Sequence, residues 1–139
     1  MIALLERLNG SLKARQIFDR YAPWAVIALA AFLRLWNLGY PAKLVFDETY
    51  YVKDAWTLWN TGSEKNWPAD YNANFEGGNV WGYLTDPAFV VHPPLGKWII
   101  GLGMWAFGAE NSFSWRISTA LLGIASVGLV IVVARMLLK

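Results

Sequence analysis

Residues 117–134 read ISTALLGIASVGLVIVVA and contain no charged side chain, with Arg116 directly before them and Arg135 directly after them. A helix rises about 1.5 Å per residue, so about 20 residues cross the roughly 30 Å hydrocarbon layer of a bilayer. A core helix of a soluble protein has an apolar stripe, whereas this stretch is apolar on every side. It therefore predicts a transmembrane helix, which we place at residues 115–139.

A second apolar block, residues 21–40, lies nearer the amino terminus. It holds one charge, Arg34, and residues 22–33 are uncharged. We expect this block to form the first of two transmembrane helices. A secretory signal peptide fits less well, because a long basic stretch precedes the block and Trp36 and Asn37 follow in place of a small-residue cleavage site.

The charges are distributed unevenly around the two blocks. Residues 1–20 carry four basic and two acidic side chains, whereas residues 38–114 carry eight acids against four lysines. Basic residues favour the cytoplasmic side of a membrane. We therefore expect a cytoplasmic segment at residues 1–20, a cytoplasmic carboxyl end and an extracytoplasmic loop at residues 41–114.

Composition excludes several classes of function. The 139 residues include 12 Lys plus Arg against 10 Asp plus Glu, and 56% are apolar. This charge balance does not fit a nucleic-acid-binding domain. The absence of Cys and the single His92 exclude disulfide scaffolds, cysteine nucleophiles and multi-histidine metal sites. No group of acids has convincing ligand spacing, so we expect neither a metal nor a cofactor.

Tryptophan is concentrated in the polar middle of the chain. Eight of the nine Trp residues lie between Trp36 and Trp115. The amphipathic indole prefers the level of the lipid headgroups. We therefore expect residues 41–114 to lie on the membrane surface.

The same middle segment predicts short helices. Asp47 can cap a helix that runs to about Asn60 and ends at Gly62, whereas residues 62–87 have the composition of an irregular loop. Residues 98–109 are uncharged but too short to cross a bilayer, which suits an interfacial helix. The expected fold class is an all-α membrane protein with two transmembrane helices flanking a long loop that carries short interfacial helices.

The adjacent acids Asp47 and Glu48 follow the first apolar block in an aromatic setting. A carboxylate held at the membrane face can act as a general base on a hydroxyl. The same pair can instead be a helix N-cap and a first-turn acid that favours the helix dipole. Spacing alone leaves both interpretations open.

Four further residues can bind a phosphate or simply anchor the chain in the membrane. Arg34 can snorkel to the interface or pair with a carboxylate or a lipid phosphate. The segment His92-Pro93-Pro94-Leu95-Gly96-Lys97 can hold the Lys97 ammonium against a phosphate, or it can be the turn that begins the interfacial helix. Arg116 has the same two roles open to it.

Taken together, three motifs resemble the amino-terminal part of the protein O-mannosyltransferase family. They are Phe46-Asp47-Glu48 after a first span, the segment 92–97, and Trp115-Arg116 at the entry to a second span. An insert resembles the actinobacterial members of that family, through Trp67, Asp70, Phe75 and residues 86–89. The resemblance covers about residue 20 to the end.

The resemblance implies a partial GT-C fold in the cell membrane. The implied reaction transfers mannose, with inversion, from polyprenyl-phosphate mannose to a Ser or Thr hydroxyl of a translocated polypeptide; no nucleic acid is involved. Asp47 matches the catalytic base and Glu48 its essential neighbour. The residues implied to bind substrate are Arg34, His92, Lys97 and Arg116.

Two alternatives stay open beside this function. One is another lipid-phosphate-sugar-dependent GT-C transferase, and the other is a non-catalytic membrane subunit with two spans. Members of the resembled family are several times longer, with further spans that supply the donor groove. We therefore expect this chain to be a fragment or a truncated product, and to be inactive in isolation.

Overall fold

The computed structural model describes residues 12–138, with side chains from residue 14 onward. Within that range it contains helices and an isolated bridge between Lys65 and Pro87, but no strand. This confirms the all-α expectation for the described residues. Residues 1–11 of the expected cytoplasmic segment, and Lys139, lie outside them. The helices are α1 (Leu12–Leu35), α2 (Glu48–Thr61), α3 (Asn72–Glu76), α4 (Leu95–Phe107) and α5 (Ser112–Leu137).

The described residues divide into two compact units. One combines residues 12–34 with residues 122–138, and therefore contains most of α1 and the later part of α5. The other comprises residues 35–121 and holds α2, α3, α4 and the first turns of α5. Each unit is described by itself.

The first unit consists of helices with exposed apolar side chains. Its helix α1 begins nine residues before the predicted block of residues 21–40 and ends at Leu35. Residues 36–39, the end of that block, form a turn instead of helix. Among the described helices, α5 is the one that is long and apolar enough to cross a membrane. The uncharged stretch of α1, residues 21–33, is shorter. The large side chains that are more than half exposed include Phe18, Trp24, Leu33, Leu129, Val130 and Met136.

Helix α2 has the position that the sequence predicts. It follows Asp47 and ends where Gly62 adopts a left-handed conformation with φ 76°. The Gly62 N–H donates to the carbonyl of Leu58 at 3.0 Å, which closes the last turn. Glycine adopts this left-handed conformation without steric strain because it has no Cβ.

Helix α4 begins directly after Pro94, three residues before the predicted apolar stretch. Two glycines let it approach its neighbours. A Cβ at Gly101 would lie 3.2 Å from the carbonyl oxygen of Ala55 in α2, and one at Gly103 would clash with the carbonyl oxygen of Ser114 in α5. Small residues on α4 therefore allow close packing between the backbones of these helices.

The long loop between α2 and α4 contributes to the core of the second unit. Predicted to be irregular, it contains the short helix α3, whose Phe75 is fully buried. The Phe75 ring contacts the rings of Trp67 and Trp115. Trp115 is 2% exposed and its Nε1 donates to the carbonyl of Ala109 at 2.7 Å. Trp115 therefore packs inside the protein, and Trp67 is half-buried against the same core.

Candidate active site

The acids Asp47 and Glu48 lie where the chain turns into α2. Phe46, just before them, has a left-handed backbone with φ 52°, which is uncommon for a bulky residue and is associated with functional sites. Asp47 occupies the N-cap position, but its side chain makes no capping hydrogen bond. The structural role considered for Asp47, a side-chain N-cap, is therefore absent. Asp47 is exposed and lines an open cavity of about 320 Å³.

Arg116 engages all five of its N–H donors with protein acceptors. Its Nε and one terminal nitrogen bind the two carboxylate oxygens of Glu48 at 2.7 and 2.8 Å. The remaining N–H groups donate to the carbonyl oxygens of Leu38, Pro41 and Lys43 at 3.0–3.1 Å. This planar fork of donors is specific to arginine. Arg116 therefore fastens the segment that enters α2 and holds Glu48 in one orientation.

Glu48 is kept ionised by this arrangement. Partial burial raises the pKa of Glu48, but hydrogen bonds from Arg116 and from the N–H of Val45, which donates at 3.0 Å, outweigh it. The net effect lowers the pKa of Glu48 below its ordinary value. A carboxylate of lowered pKa that is already bonded on both oxygens is a poor proton acceptor. Glu48 is thus engaged by the protein, whereas the Asp47 side chain makes no capping hydrogen bond and lines the cavity.

His92 lies at a second cavity of about 320 Å³, which is lined also by Lys97. Tyr51 and Ile100 line both this cavity and the one at Asp47. The ring centroids of Tyr51 and His92 are 5.7 Å apart. The structure therefore brings the two motifs of residues 46–48 and 92–97 to cavities that share Tyr51 and Ile100 in their lining.

Lys97 is almost completely buried, with 3% of its side chain exposed. Its Nζ lies 2.5 Å from a carboxylate oxygen of Glu64 and 3.0 Å from one of Asp54. Burial lowers the pKa of Lys97, but the two carboxylates outweigh it and raise that pKa above its ordinary value. Lys97 therefore carries a charge that is directed at protein carboxylates in this structure.

Arg34 belongs to the other compact unit, so it is described there alone. It lies in the last turn of α1. A Cβ at Gly123 of α5 would lie 2.6 Å from the Arg34 Nε. The absence of a side chain at Gly123 thus provides the space in which the guanidinium rests against α5.

Reasoning from the sequence missed three residues of this region, Tyr51, Asp54 and Glu64. A signal for the two acids was present, because a lysine within an otherwise apolar helix requires a counter-charge when it is buried. Within residues 12–138, no group of three or more His, Cys, Asp or Glu side chains is arranged to hold a metal ion.

The comparison with protein families agrees with these motifs. The model of the dolichyl-phosphate-mannose-protein mannosyltransferase family matches residues 24–139. The matched range includes Asp47, Glu48, His92 and Arg116, and it covers more than half of the chain. The chain belongs to this family.

Individual relatives extend the likeness to actinobacteria. A Mycolicibacterium smegmatis protein named polyprenol-phosphate-mannose–protein mannosyltransferase is 40% identical over 125 residues, 84% of this chain and 20% of its own length. Proteins of the same name from Mycobacterium tuberculosis and Corynebacterium glutamicum are 34% and 32% identical over 84% and 86% of this chain. The chain spans about a fifth of the length of these relatives. No solved structure matches it.

Proposed function

We propose that this chain supplies the catalytic acid pair of a membrane mannosyltransferase. The donor is polyprenyl-phosphate mannose and the acceptor is a Ser or Thr hydroxyl of a translocated polypeptide. The relatives' names and the family match support this reaction class. The single observation that carries it is the contrast between Glu48, bonded on both oxygens, and Asp47, which faces an open cavity.

In the proposed step, Asp47 accepts the proton of the acceptor hydroxyl. The hydroxyl oxygen forms a bond to C1 of mannose from the face opposite the phosphate. The C1–O bond to the phosphate breaks, and its electron pair leaves with the lipid phosphate. A positioned general base contributes about 10²–10⁴-fold to such a reaction. The remaining acceleration comes from orienting the reactants and stabilising the developing charge.

The other predicted residues take roles that follow from their contacts. We propose that His92 faces the donor, because it lines the cavity next to that of Asp47. Arg116 and Lys97 reach a donor phosphate only by giving up protein acceptors, so their geometry favours holding the site in shape. Arg34 remains our candidate for a lipid-phosphate ligand, since it lies near the end of an apolar helix.

We further propose that α1 and α5 both cross the cell membrane, with residues 41–114 outside. Large apolar side chains are exposed along both helices, and lipid contact would remove the cost of exposing them to water. The chain has no native cysteine, so a Gly77→Cys variant carries a single thiol. An impermeant thiol reagent should label it from outside the cell; labelling from the cytoplasmic side alone would contradict this orientation.

The reaction is tested in a hybrid of the Mycolicibacterium smegmatis relative, in which this chain replaces the aligned segment of 125 residues. Membranes containing the hybrid receive labelled polyprenyl-phosphate mannose and a Ser/Thr peptide. We expect Asp47→Asn to lower the transfer rate by about 10²-fold or more, because the base is lost. Asp70→Asn removes an equal charge from an exposed position and should leave the rate unchanged.

Two results would contradict the proposal. Near-normal transfer by the Asp47→Asn hybrid would remove the base role from Asp47. Transfer to a lipid or glycan acceptor, without transfer to the peptide, would favour another lipid-phosphate-dependent transferase.

A further inference from the structure

A buried cluster of three charges joins separate parts of the second unit. It consists of Asp54 in α2, Glu64 in the loop after α2, and Lys97 in α4; we call it the Lys97 cluster. The exposed fractions of the Lys97, Glu64 and Asp54 side chains are 3%, 2% and 17%. Breaking a buried ion pair from one side leaves an uncompensated charge, so such a cluster strongly disfavours other arrangements of its elements.

Glu64 contacts both ends of residues 88–97, the stretch that contains the 92–97 motif. Its carboxylate binds the Lys97 ammonium at 2.5 Å, at the end of the motif. Its backbone carbonyl accepts the N–H of Ala88 at 2.9 Å, four residues before His92. Asn66 extends the backbone contact, since its N–H donates to the carbonyl of Asp86 at 3.0 Å. A single loop thus holds both ends of residues 88–97.

Asp54 connects the same cluster to the helix that begins at the acid pair. It lies seven residues after Asp47, and its carboxylate is 3.0 Å from the Lys97 Nζ. One turn beyond Lys97, Gly101 packs against the carbonyl of Ala55, the residue after Asp54. Polar and close-packed contacts therefore fix α4 against α2 at adjacent turns.

We propose that Asp54 and Glu64 are positioning residues: through Lys97 they set where the His92 segment lies relative to the helix that begins at Asp47. This inference rests on the proposed function, because it concerns the geometry of the same site. Neither acid contacts the Asp47 cavity. They act by holding two motifs, separated by more than 40 residues of sequence, at two cavities that share Tyr51.

Cross-linking in the 139-residue chain itself tests this placement. The sequence has no cysteine, so Tyr51→Cys and His92→Cys introduce the sole pair of thiols. The native rings are 5.7 Å apart, within reach of a short bifunctional thiol reagent. We expect rapid cross-linking when the cluster is intact. With Lys97→Met or Glu64→Gln the cross-linking rate should fall by about tenfold or more, because the segment no longer stays against α2.

Matched variants distinguish positioning from general damage. Asp70→Asn should leave the cross-linking rate unchanged, since its side chain is exposed. The double variant with Lys97→Met and Glu64→Gln should cross-link no more slowly than Lys97→Met alone, because the effects of residues in one network are not additive. If Lys97→Met does not insert into the membrane, Glu64→Gln decides the question, since its Lys97–Asp54 pair remains. Unchanged cross-linking in Glu64→Gln would overturn the proposal.

The hybrid enzyme adds a kinetic readout. Misplacement of a reacting group affects the chemical step, so Glu64→Gln should lower kcat about tenfold or more and change KM less. Glu64→Asp should recover part of the rate, because it keeps the charge. Cross-linking depends on the fold alone, whereas the Asp47→Asn assay depends on the chemistry. A negative result in the cross-linking experiment would therefore overturn the positioning role alone, and a negative result in the Asp47→Asn assay would overturn the base role of Asp47 alone.

Discussion

Two charged clusters in the same compact unit use arginine and lysine in different ways. Arg116 and Glu48 remain partly accessible, with 15% and 27% of their side chains exposed, and they lie at the rim of the Asp47 cavity. Lys97 and Glu64 are at most 3% exposed and lie between secondary-structure elements. Arginine makes a planar fork with a carboxylate and three carbonyls, whereas the lysine ammonium is a compact charge between two carboxylates.

The difference shows what burial does to a charged motif. At the cavity rim, Glu48 is paired with Arg116, whereas its neighbour Asp47 lines the cavity. In the interior, two carboxylates offset the free-energy cost of desolvating the Lys97 ammonium. Because the ammonium is paired with them, it is not available to another anion. A lysine in a recognisable sequence motif can therefore have a structural role even when it lies beside a candidate active site.

The largest expected effect comes from breaking the Lys97 cluster. Lys97→Met leaves the Glu64 carboxylate buried and without its ammonium. We expect the free energy of unfolding to fall by about 3–5 kcal/mol. Lys43→Met, at an exposed lysine, should change it by less than about 0.5 kcal/mol. Denaturant unfolding followed by tryptophan fluorescence measures both. Similar values for the two variants would mean that burial of the cluster has no energetic consequence.

A smaller effect is expected from the Glu48–Arg116 pair, and it depends on pH. The folded-state pKa of Glu48 is lowered, so the pair stabilises the fold above the ordinary pKa of a glutamate, and this contribution is lost as the pH falls through the folded-state pKa. Glu48→Gln should therefore be less stable than the unmutated chain by about 1–2 kcal/mol at neutral pH. The difference between the two should shrink in acid. A difference that is constant from neutral pH into strong acid would contradict the prediction.

The smallest expected effect separates two glycines on the same helix. A Cβ at Gly101 would lie 3.2 Å from the Ala55 carbonyl oxygen, whereas one at Gly96 would meet nothing within 4 Å. We expect Gly101→Ala to destabilise the unit by about 1 kcal/mol, because α4 must move away from α2. Gly96→Ala should stabilise it by about 0.5 kcal/mol through helix propensity. Thermal unfolding of the two variants gives the sign of each stability change. Changes of the same sign would show that the close approach of α4 to α2 at Gly101 does not affect stability.

The local structure around the site was predictable from neighbouring residues. The end of α2 at Gly62 follows from a glycine after a helical segment, and the start of α4 follows from Pro93-Pro94. The motifs around Asp47, His92 and Arg116 were recognisable because each is a short, continuous stretch. The start of α1 was not predictable from the apolar pattern, which begins at residue 21. The first turns of the helix, from Leu12, precede that pattern and carry charged side chains.

Contacts between distant residues were not accessible in the same way. The apolar surroundings of Lys97 indicate that it needs a counter-charge, but Glu64 lies in a polar loop 33 residues away, so the sequence does not identify it as the partner. Arg116 is equally remote from Glu48 in sequence, at 68 residues. Composition also suggested a membrane-surface role for tryptophans of which Trp115 is in fact buried in the protein.

The sequence by itself determined the apolar helices, the position of the acid pair and the family to which the chain belongs, because these depend on local composition and continuous motifs. The tertiary structure decided which charges are free and which are engaged. That property depends on burial and on partners brought together by packing, and the electrostatic free energy of a charge is set by those surroundings. Asp47 faces a cavity and Lys97 faces two carboxylates for this reason.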